Sequence, residues 1–195
     1  ATYMDGTTDI TRTYPLGPLT EDEKRFYTWT LQSHIDLAKA VWLDYCECKM
    51  IDTIAREPLW RHLINYRCGT GHSVSFVGNV HEGPHALNSR NTTRMRPGMV
   101  VTDEPGVYET DLVGIRIENE LVCVHKADNQ YGTFLGFEPL MFVPIATSPI
   151  LPGVLDKDEI AWLNDYHRQV FAKLAPHLND EERSWLAEKC AAIGC

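Results

Sequence analysis

The segment 98-GMVVTDEPGVYETDLVGIRIENELVCV-124 contains two runs of β-branched and aliphatic residues, bounded by glycine and proline. Such runs between turn residues are typical of sheet strands. Each run also carries an acidic residue, Glu104 beside the first turn and Glu118 within the second run. Because a carboxylate in an apolar strand must be paired, bound to a metal or turned to water, the segment predicts a sheet that bears a polar site.

Further β-type runs lie on both sides of this segment, within Cys68–Ile145. The runs 72-HSVSFV-77 and 138-EPLMFVPI-145 predict additional strands. The opening residues 1–13 are rich in threonine and predict a strand broken by a turn at Asp5-Gly6. These patterns together predict one sheet that begins at the first residues of the chain.

Helical patterns flank the predicted sheet. Thr20 and Glu23 form a capping-box pattern ahead of a helix predicted over 21–42. A second helix is predicted from Met50 to Ile64, with Pro58 kinking it or dividing it in two.

Two further capping patterns predict a pair of C-terminal helices, one starting after Asp156 and one after Asn179. Glu159 and Glu182 supply the third-position acids of these patterns. The arrangement predicts a single α+β domain over residues 1–195.

The composition limits the partners of the chain. It has 195 residues, enough for one hydrophobic core, and a formal charge of −9 from 27 acidic and 18 basic residues without a basic cluster. Nucleic acid and anionic membranes are therefore not expected as partners. No stretch has the length and apolarity of a membrane span, and residues 1–20 lack a signal-peptide pattern, so we expect a soluble, cytoplasmic protein.

The cysteines are scattered and show neither a CxxC pair nor the spacing of a zinc finger. They are interpreted as reduced thiols, which agrees with a cytoplasmic location. A bridge between molecules through Cys46 or Cys195 is left open.

Four residues beside turns predict a metal site: Asp9, His72, Glu104 and Glu118. Carboxylates with one imidazole and no thiolate suit a hard or borderline divalent ion, such as Mn²⁺, Co²⁺, Fe²⁺ or Zn²⁺. The alternative is that these are solvated charges at strand ends. Strand alternation does not separate Asp5 from Asp9, and Arg116 stands on the same strand face as Glu118 as an alternative ion-pair partner.

Five blocks in order carry a resemblance to a known family: 5-DGTTDITRT-13, 69-GTGHSV-74, 79-NVHEGPH-85, 97-PGMVVTDEPGVY-108 and 114-GIRIENELV-122. They closely resemble the catalytic domain of Xaa-Pro aminopeptidases (aminopeptidase P), with 162-WLNDYH-167 extending the match towards the C-terminus. The resemblance implies a pita-bread fold, in which a curved, mostly antiparallel sheet is covered by helices. It also implies a metallopeptidase related to prolidase and methionine aminopeptidase.

The resemblance implies two metal ions held by two Asp, one His and two Glu. Carried over by position, Asp9, His72, Glu104 and Glu118 are four of these five ligands. The first Asp of the pattern, and an upstream His near the substrate, would precede Ala1. We therefore expect the chain to be an N-terminally incomplete, C-terminal part of a longer protein, with weak or single-site metal binding and little peptidase activity by itself.

The resemblance also assigns roles beyond the ligands. Glu104 is implied as general base and His81 as the group that hydrogen-bonds substrate and stabilises the tetrahedral intermediate. Tyr108 and Arg116 are implied to orient the ligands and the proton relay. Cys68 stands where many members of the family have His, and the remaining histidines, including His85, are interpreted as structural or solvated.

Three functions remain open at this stage. The first is an Xaa-Pro aminopeptidase, which removes the first residue from peptides with proline second. The second is a prolidase-type enzyme restricted to Xaa-Pro dipeptides, and the third is a catalytically silent pita-bread domain used for binding. A homodimer is also left open, because members of the family are often dimeric.

Overall fold

The computed structural model describes residues 1–194, so Cys195 lies outside the described residues. The strands are β1 (Thr2–Tyr3), β2 (Gly6–Thr7), β3 (Val41–Leu43), β4 (Gly71–His72), β5 (Ala86–Leu87), β6 (Val100–Asp103), β7 (Gly106–Glu109), β8 (Val113–Arg116), β9 (Asn119–Asn129) and β10 (Gly132–Pro139). The α-helices are α1 (Glu21–Ala38), α2 (Cys48–Trp60), α3 (Lys157–Leu174) and α4 (Asp180–Lys189), and a 3₁₀ turn covers Ala175–His177.

The main sheet has four strands in the order β3-β10-β9-β6, and all its pairings are antiparallel. β9 and β10 form its longest hairpin, with a register shift between Phe134 and Leu135. The short pairs β1-β2, β4-β5 and β7-β8 lie around it, and a bridge from Ser73 to Val101 joins β4 to the edge strand β6. The combination of helices with antiparallel strands confirms the predicted α+β class. The prediction of one sheet that begins at the first residues was wrong, because β1 and β2 form a separate two-stranded pair.

The predicted capping boxes are confirmed at the starts of α1, α3 and α4. In each case the cap side chain accepts a backbone N–H of the first turn, and the Glu three residues later accepts the N–H of the cap residue. Because these contacts satisfy donors that have no partner within the helix, they fix where each helix begins. Local sequence therefore determines these helix starts.

Two helix predictions were wrong at their ends. α1 ends at Ala38 rather than at residue 42, because Val41–Leu43 pairs with β10 and the ring of Trp42 packs on Phe137 at a centroid distance of 4.5 Å. α2 covers Cys48–Trp60 rather than 50–64, and Pro58 does not divide it. Pro58 lies in the last turn of α2, where its missing N–H removes only one helical hydrogen bond.

Two of the predicted strands were also wrong in extent. In 72-HSVSFV-77 only His72 belongs to a strand, and a loop follows. In 138-EPLMFVPI-145 strand β10 ends at Pro139, and the N–H of Leu140 makes one further hydrogen bond to the carbonyl of Glu120 on β9. The carbonyl groups of Val143 and Pro144 are instead satisfied by the Arg12 side chain. Side-chain hydrogen bonds replace sheet pairing there.

Two clusters of buried apolar side chains support the sheet. One joins the end of α1 and α2 to β6, β9 and β10, and the other joins α1 to β8, α3 and α4. Helix α1 contributes to both clusters, with Leu31 and Ile35 in the second and Leu37 in the first. Within residues 1–194, every helix is too short or too polar to cross a membrane.

His167 on α3 gives a test of this packing. Its side chain is fully buried, and its Nε2 accepts a hydrogen bond from the N–H of Ile145 at 3.1 Å. Burial, helped by the positive charge of Arg12, lowers the pKa of His167 to about 4. An unfolded chain would take up the proton near pH 6.5, so the stability that the neutral imidazole gives is full above that pH and is lost as pH falls towards 4.

We expect His167→Gln, which keeps a hydrogen-bond acceptor but does not titrate, to lose less stability on acidification. Between pH 7 and pH 4.5 the difference in unfolding free energy between wild type and variant should shrink by roughly 2 kcal/mol in urea titrations. The exposed His177→Gln serves as control and should follow the wild type. A difference that stays constant over this pH range would contradict the prediction.

Candidate metal centre

His72 lies between two carboxylates. Its Nε2 is 3.4 Å from Oδ2 of Asp9 and 3.2 Å from Oε1 of Glu104. The other ring nitrogen, Nδ1, lies 3.1 Å from the carbonyl oxygen of Ser73, and the His72 backbone N–H donates to the hydroxyl of Thr102 at 2.9 Å. Since a carbonyl only accepts, Nδ1 carries a proton in this contact, and Nε2 is the ring nitrogen that faces the carboxylates.

Glu104 directly follows β6 and is held from several directions. Its backbone N–H donates to the carbonyl of Thr70 at 2.7 Å, and its Oε1 accepts from the hydroxyl of Thr102 at 2.9 Å. Its Oε2 is paired with the guanidinium of Arg116. The side chain is thereby fixed with one oxygen towards His72 and the other towards Arg116.

Glu118 lies between β8 and β9 and is 2% exposed. Its carboxylate accepts from the hydroxyl of Thr11, and its backbone N–H donates to the Thr11 carbonyl at 3.0 Å. Burial raises the pKa of Glu118, the Thr11 hydrogen bond opposes this, and the negative charge of Asp9 raises the pKa further. Glu118 is therefore joined to the segment that carries Asp9 through Thr11, two residues after Asp9.

Asp9 and Glu104 both lie beside Nε2 of His72, and Glu118 is joined to the Asp9 segment through Thr11. Among residues 1–194, the group of possible ligand atoms that lie within 4.8 Å of one another includes neither Glu104 nor Glu118. Asp5, the alternative to Asp9, is exposed in the turn between β1 and β2. The sequence left open an ion pair between Arg116 and Glu118. In the structure the guanidinium of Arg116 instead pairs with the carboxylate of Glu104.

His81 joins this group. Its ring lies 3.8 Å from that of His72 between centroids, and Asp9, His72 and His81 each offer a ligand atom within 4.8 Å of the others. The loop through Gly78-Asn79 brings the two imidazoles together. His85 lies apart, buried, with Nε2 2.7 Å from the carbonyl oxygen of Val100.

Tyr108 and Arg116 form one unit at the edge of the site. The Nε of Arg116 donates to the hydroxyl of Tyr108 at 2.7 Å, while another nitrogen of the same guanidinium pairs with Glu104. Cys68 is half-buried, with its sulfur 3.7 Å from the carbonyl oxygen of Gly106. Nothing in these contacts explains why cysteine stands at position 68.

Sequence comparison agrees with the geometry. The profile of metallopeptidase family M24 matches residues 1–125, and the profile of the C-terminal region of peptidase M24 matches residues 133–193. The chain belongs to metallopeptidase family M24. Among its curated relatives, Aminopeptidase P1 of Lotus japonicus is 41% identical over 200 residues, which cover 100% of this chain and 30% of the relative. Aminopeptidase P2 of Arabidopsis thaliana is 44% identical over 193 residues, 95% of this chain and 27% of the relative.

Solved structures give the same result for the M24 fold. The X-prolyl aminopeptidase from Caenorhabditis elegans, described as a cytosolic enzyme with a di-nuclear active site, superposes with a TM-score of 0.93 at 38% identity over 98% of this chain. Prolidase from Pyrococcus furiosus superposes with a TM-score of 0.60 at 28% identity over 71% of this chain. The predicted pita-bread fold is confirmed. The chain spans about a third of the length of these M24 relatives, 32% for the C. elegans protein.

Three polar residues around the M24 site were missed in the sequence. The hydroxyl groups of Thr11 and Thr102 donate hydrogen bonds to the carboxylates of Glu118 and Glu104, respectively. Oε1 of Glu120 accepts a hydrogen bond from the backbone N–H of Asp9 at 2.9 Å. Burial, reinforced by the charge of Asp9, raises the pKa of Glu120 to about 7. A signal was present for Glu120, which stands two residues from Glu118 and so shares its strand face.

The donors present fit a divalent cation. Nε2 of His72 faces one oxygen of Asp9 and one of Glu104, so these three atoms together could bind one divalent cation. Carboxylate oxygens with imidazole nitrogen and no thiolate suit hard or borderline ions. The proton of Nδ1 on the Ser73 carbonyl also fixes the ring orientation that a metal-binding imidazole needs.

Proposed function

We propose that this chain is the C-terminal part of the catalytic domain of a metal-dependent aminopeptidase that releases the first residue from peptides with proline in second position. The observation that carries the proposal is the placement of Nε2 of His72 between the carboxylates of Asp9 and Glu104. Membership of the M24 metallopeptidases and the similarity to proteins named aminopeptidase P support the reaction and the substrate class.

The proposed ligands of two divalent ions are Asp9, His72, Glu104 and Glu118. Mn²⁺ is the proposed metal for both ions. Such ions supply an activated water and polarise the carbonyl of the bond to be cleaved. The carboxylate and imidazole donors support this assignment, as does the di-nuclear active site described for the C. elegans protein.

The remaining residues would handle protons and substrate. Glu104 accepts the proton of the attacking water, because its carboxylate faces the ligand group and is held in place by Thr102 and Arg116. His81, exposed beside His72, donates a hydrogen bond to the oxygen on which charge develops. Tyr108 holds the Arg116 guanidinium against Glu104 through its hydroxyl.

Peptide specificity tests the proposal. The longest in-frame polypeptide containing these residues should, with Mn²⁺, remove the first residue from a peptide of sequence Xaa-Pro-Xaa, and cleave the matched Xaa-Ala-Xaa at least about 100-fold more slowly. Product release is measured by mass spectrometry. Cleavage confined to the Xaa-Pro dipeptide would favour a prolidase instead. Peptide binding without any hydrolysis would favour a silent binding domain.

A cytoplasmic location is proposed as well. One support is the similar C. elegans protein, which is described as cytosolic. Another is that the cysteines within residues 1–194 are all free thiols. Free thiols are the usual state of cysteine in a reducing compartment.

A further inference from the structure

We infer that Arg12 is a positioning residue for the metal centre. It holds two chain segments, the arms that carry Asp9 and Glu118, in a fixed relative position. The inference rests on the proposed function, because it takes Asp9 and Glu118 as ligands. Arg12 is three residues after Asp9, in a segment without regular secondary structure, and its side chain points away from the ligands into the interior.

The guanidinium of Arg12 connects the two ligand arms directly. One terminal nitrogen donates to the carbonyl oxygen of Thr11 at 3.0 Å and also to the carbonyl oxygen of Glu118. The first carbonyl lies two residues after Asp9, and the second belongs to Glu118 itself. The isolated bridge between Thr11 and Glu118 adds one further link between the arms. One cation therefore spans a junction that otherwise has little sheet pairing.

The rest of the guanidinium anchors this junction to the body of the protein. Nε donates to the carbonyl oxygens of Val143 and Pro144, each at 3.2 Å. The other terminal nitrogen donates to Asn119 Oδ1 at 2.8 Å, to Val143 at 2.7 Å and to the hydroxyl of Tyr166 at 2.8 Å. Tyr166 is 1% exposed on α3, so the anchor reaches the core.

Every acceptor of these hydrogen bonds is neutral, which makes the geometry of the guanidinium decisive. A planar fork with five N–H donors reaches several carbonyls at fixed angles, whereas the ammonium of lysine offers three donors at one point. Arg12 is therefore matched to positions of backbone oxygens rather than to an opposing charge. Its loss would leave the Thr11 and Glu118 carbonyls without this shared donor and let the two arms move apart.

The test compares Mn²⁺ binding by Arg12→Met and by a matched control in the polypeptide used for the peptide assay. The control is Arg25→Met, which removes an exposed arginine of α1 that pairs with the exposed Asp22. Binding is followed by the loss of the electron paramagnetic resonance signal of free Mn²⁺, and folding by circular dichroism. We expect Arg12→Met to bind Mn²⁺ about 10- to 100-fold more weakly than wild type. Arg25→Met should bind as wild type does.

A second pair of variants separates positioning from general support of the fold. Tyr166→Phe removes the hydroxyl that anchors Arg12 to the core but keeps the hydrogen bonds of Arg12 to Thr11 and Glu118. This variant should have a lower melting temperature, while its Mn²⁺ affinity should stay within about twofold of wild type. Arg12→Lys keeps the charge without the fork and should still bind at least about fivefold more weakly. Amide exchange at Glu118, whose N–H donates to Thr11, should be faster in both Arg12 variants.

Two results would overturn the inference in different ways. Folded Arg12→Met or Arg12→Lys with wild-type Mn²⁺ affinity would show that Arg12 does not position the ligands, while leaving the proposed function intact. Absence of Mn²⁺ binding in the wild-type polypeptide would refute the proposed metal centre itself and the role of Arg12 with it.

Discussion

Gly71→Ala, made in the polypeptide used for the peptide assay, should destabilise the protein by about 3 kcal/mol and abolish its Mn²⁺ binding. A β-carbon at position 71 would overlap the carbonyl oxygen of Thr102 and lie 2.8 Å from its carbonyl carbon. These are backbone atoms of β6, so no side-chain rotation relieves the overlap, and β4 must separate from β6. His72 is on β4 and Glu104 directly follows β6, so the separation would pull the two ligands apart.

Gly69→Ala is the matched control. A β-carbon at position 69 would meet only the carbonyl oxygen of Leu87, at an ordinary contact distance of 3.7 Å. We expect its unfolding free energy in urea to stay within about 1 kcal/mol of wild type, with Mn²⁺ binding retained. If Gly71→Ala matched the stability and metal affinity of Gly69→Ala, the close approach of β4 to β6 would be wrong.

The second large effect is expected for Glu104→Gln. This change preserves shape and an oxygen acceptor for the hydroxyl of Thr102, but removes the charge that binds metal and accepts the proton of water. The rate of Xaa-Pro-Xaa hydrolysis should fall by about 100- to 10,000-fold, since a positioned general base contributes that much. Circular dichroism and melting temperature should show a folded protein.

Glu109→Gln controls for the loss of one carboxylate, because Glu109 is exposed at the end of β7, five residues after Glu104. Its hydrolysis rate should equal that of wild type within about twofold. Added Mn²⁺ should not restore the activity of Glu104→Gln, because the missing group is the base as well as a ligand. A Glu104→Gln protein with at least half the wild-type rate would exclude Glu104 as the base.

The sequence was most informative where local contacts determine the structure. The helix starts at Thr20, Asp156 and Asn179 were predicted because a cap and its third-position acid are neighbours in the chain. The end of α1 was mispredicted because the competing interaction, pairing of Val41–Leu43 with β10, comes from residues about 90 positions further along. Helical periodicity contains no information about such a distant partner.

The candidate site shows the same division. Strand-end position and residue type indicated Asp9, His72, Glu104 and Glu118, and the five ordered blocks indicated the family. Whether Arg116 contacts Glu118 or Glu104 depends on how β8 folds back on β7, which strand alternation within one run does not specify. Arg12 gave no signal, since its partners are mostly backbone carbonyls, and only the tertiary structure defines where these lie.

The position of bound Mn²⁺ can be measured in a crystal of the protein by anomalous X-ray scattering at the manganese edge. We expect an anomalous peak coordinated by the carboxylates of Asp9 and Glu104 and by Nε2 of His72, with Glu118 at the same centre. A peak at any other group of residues, with none at this one, would contradict it.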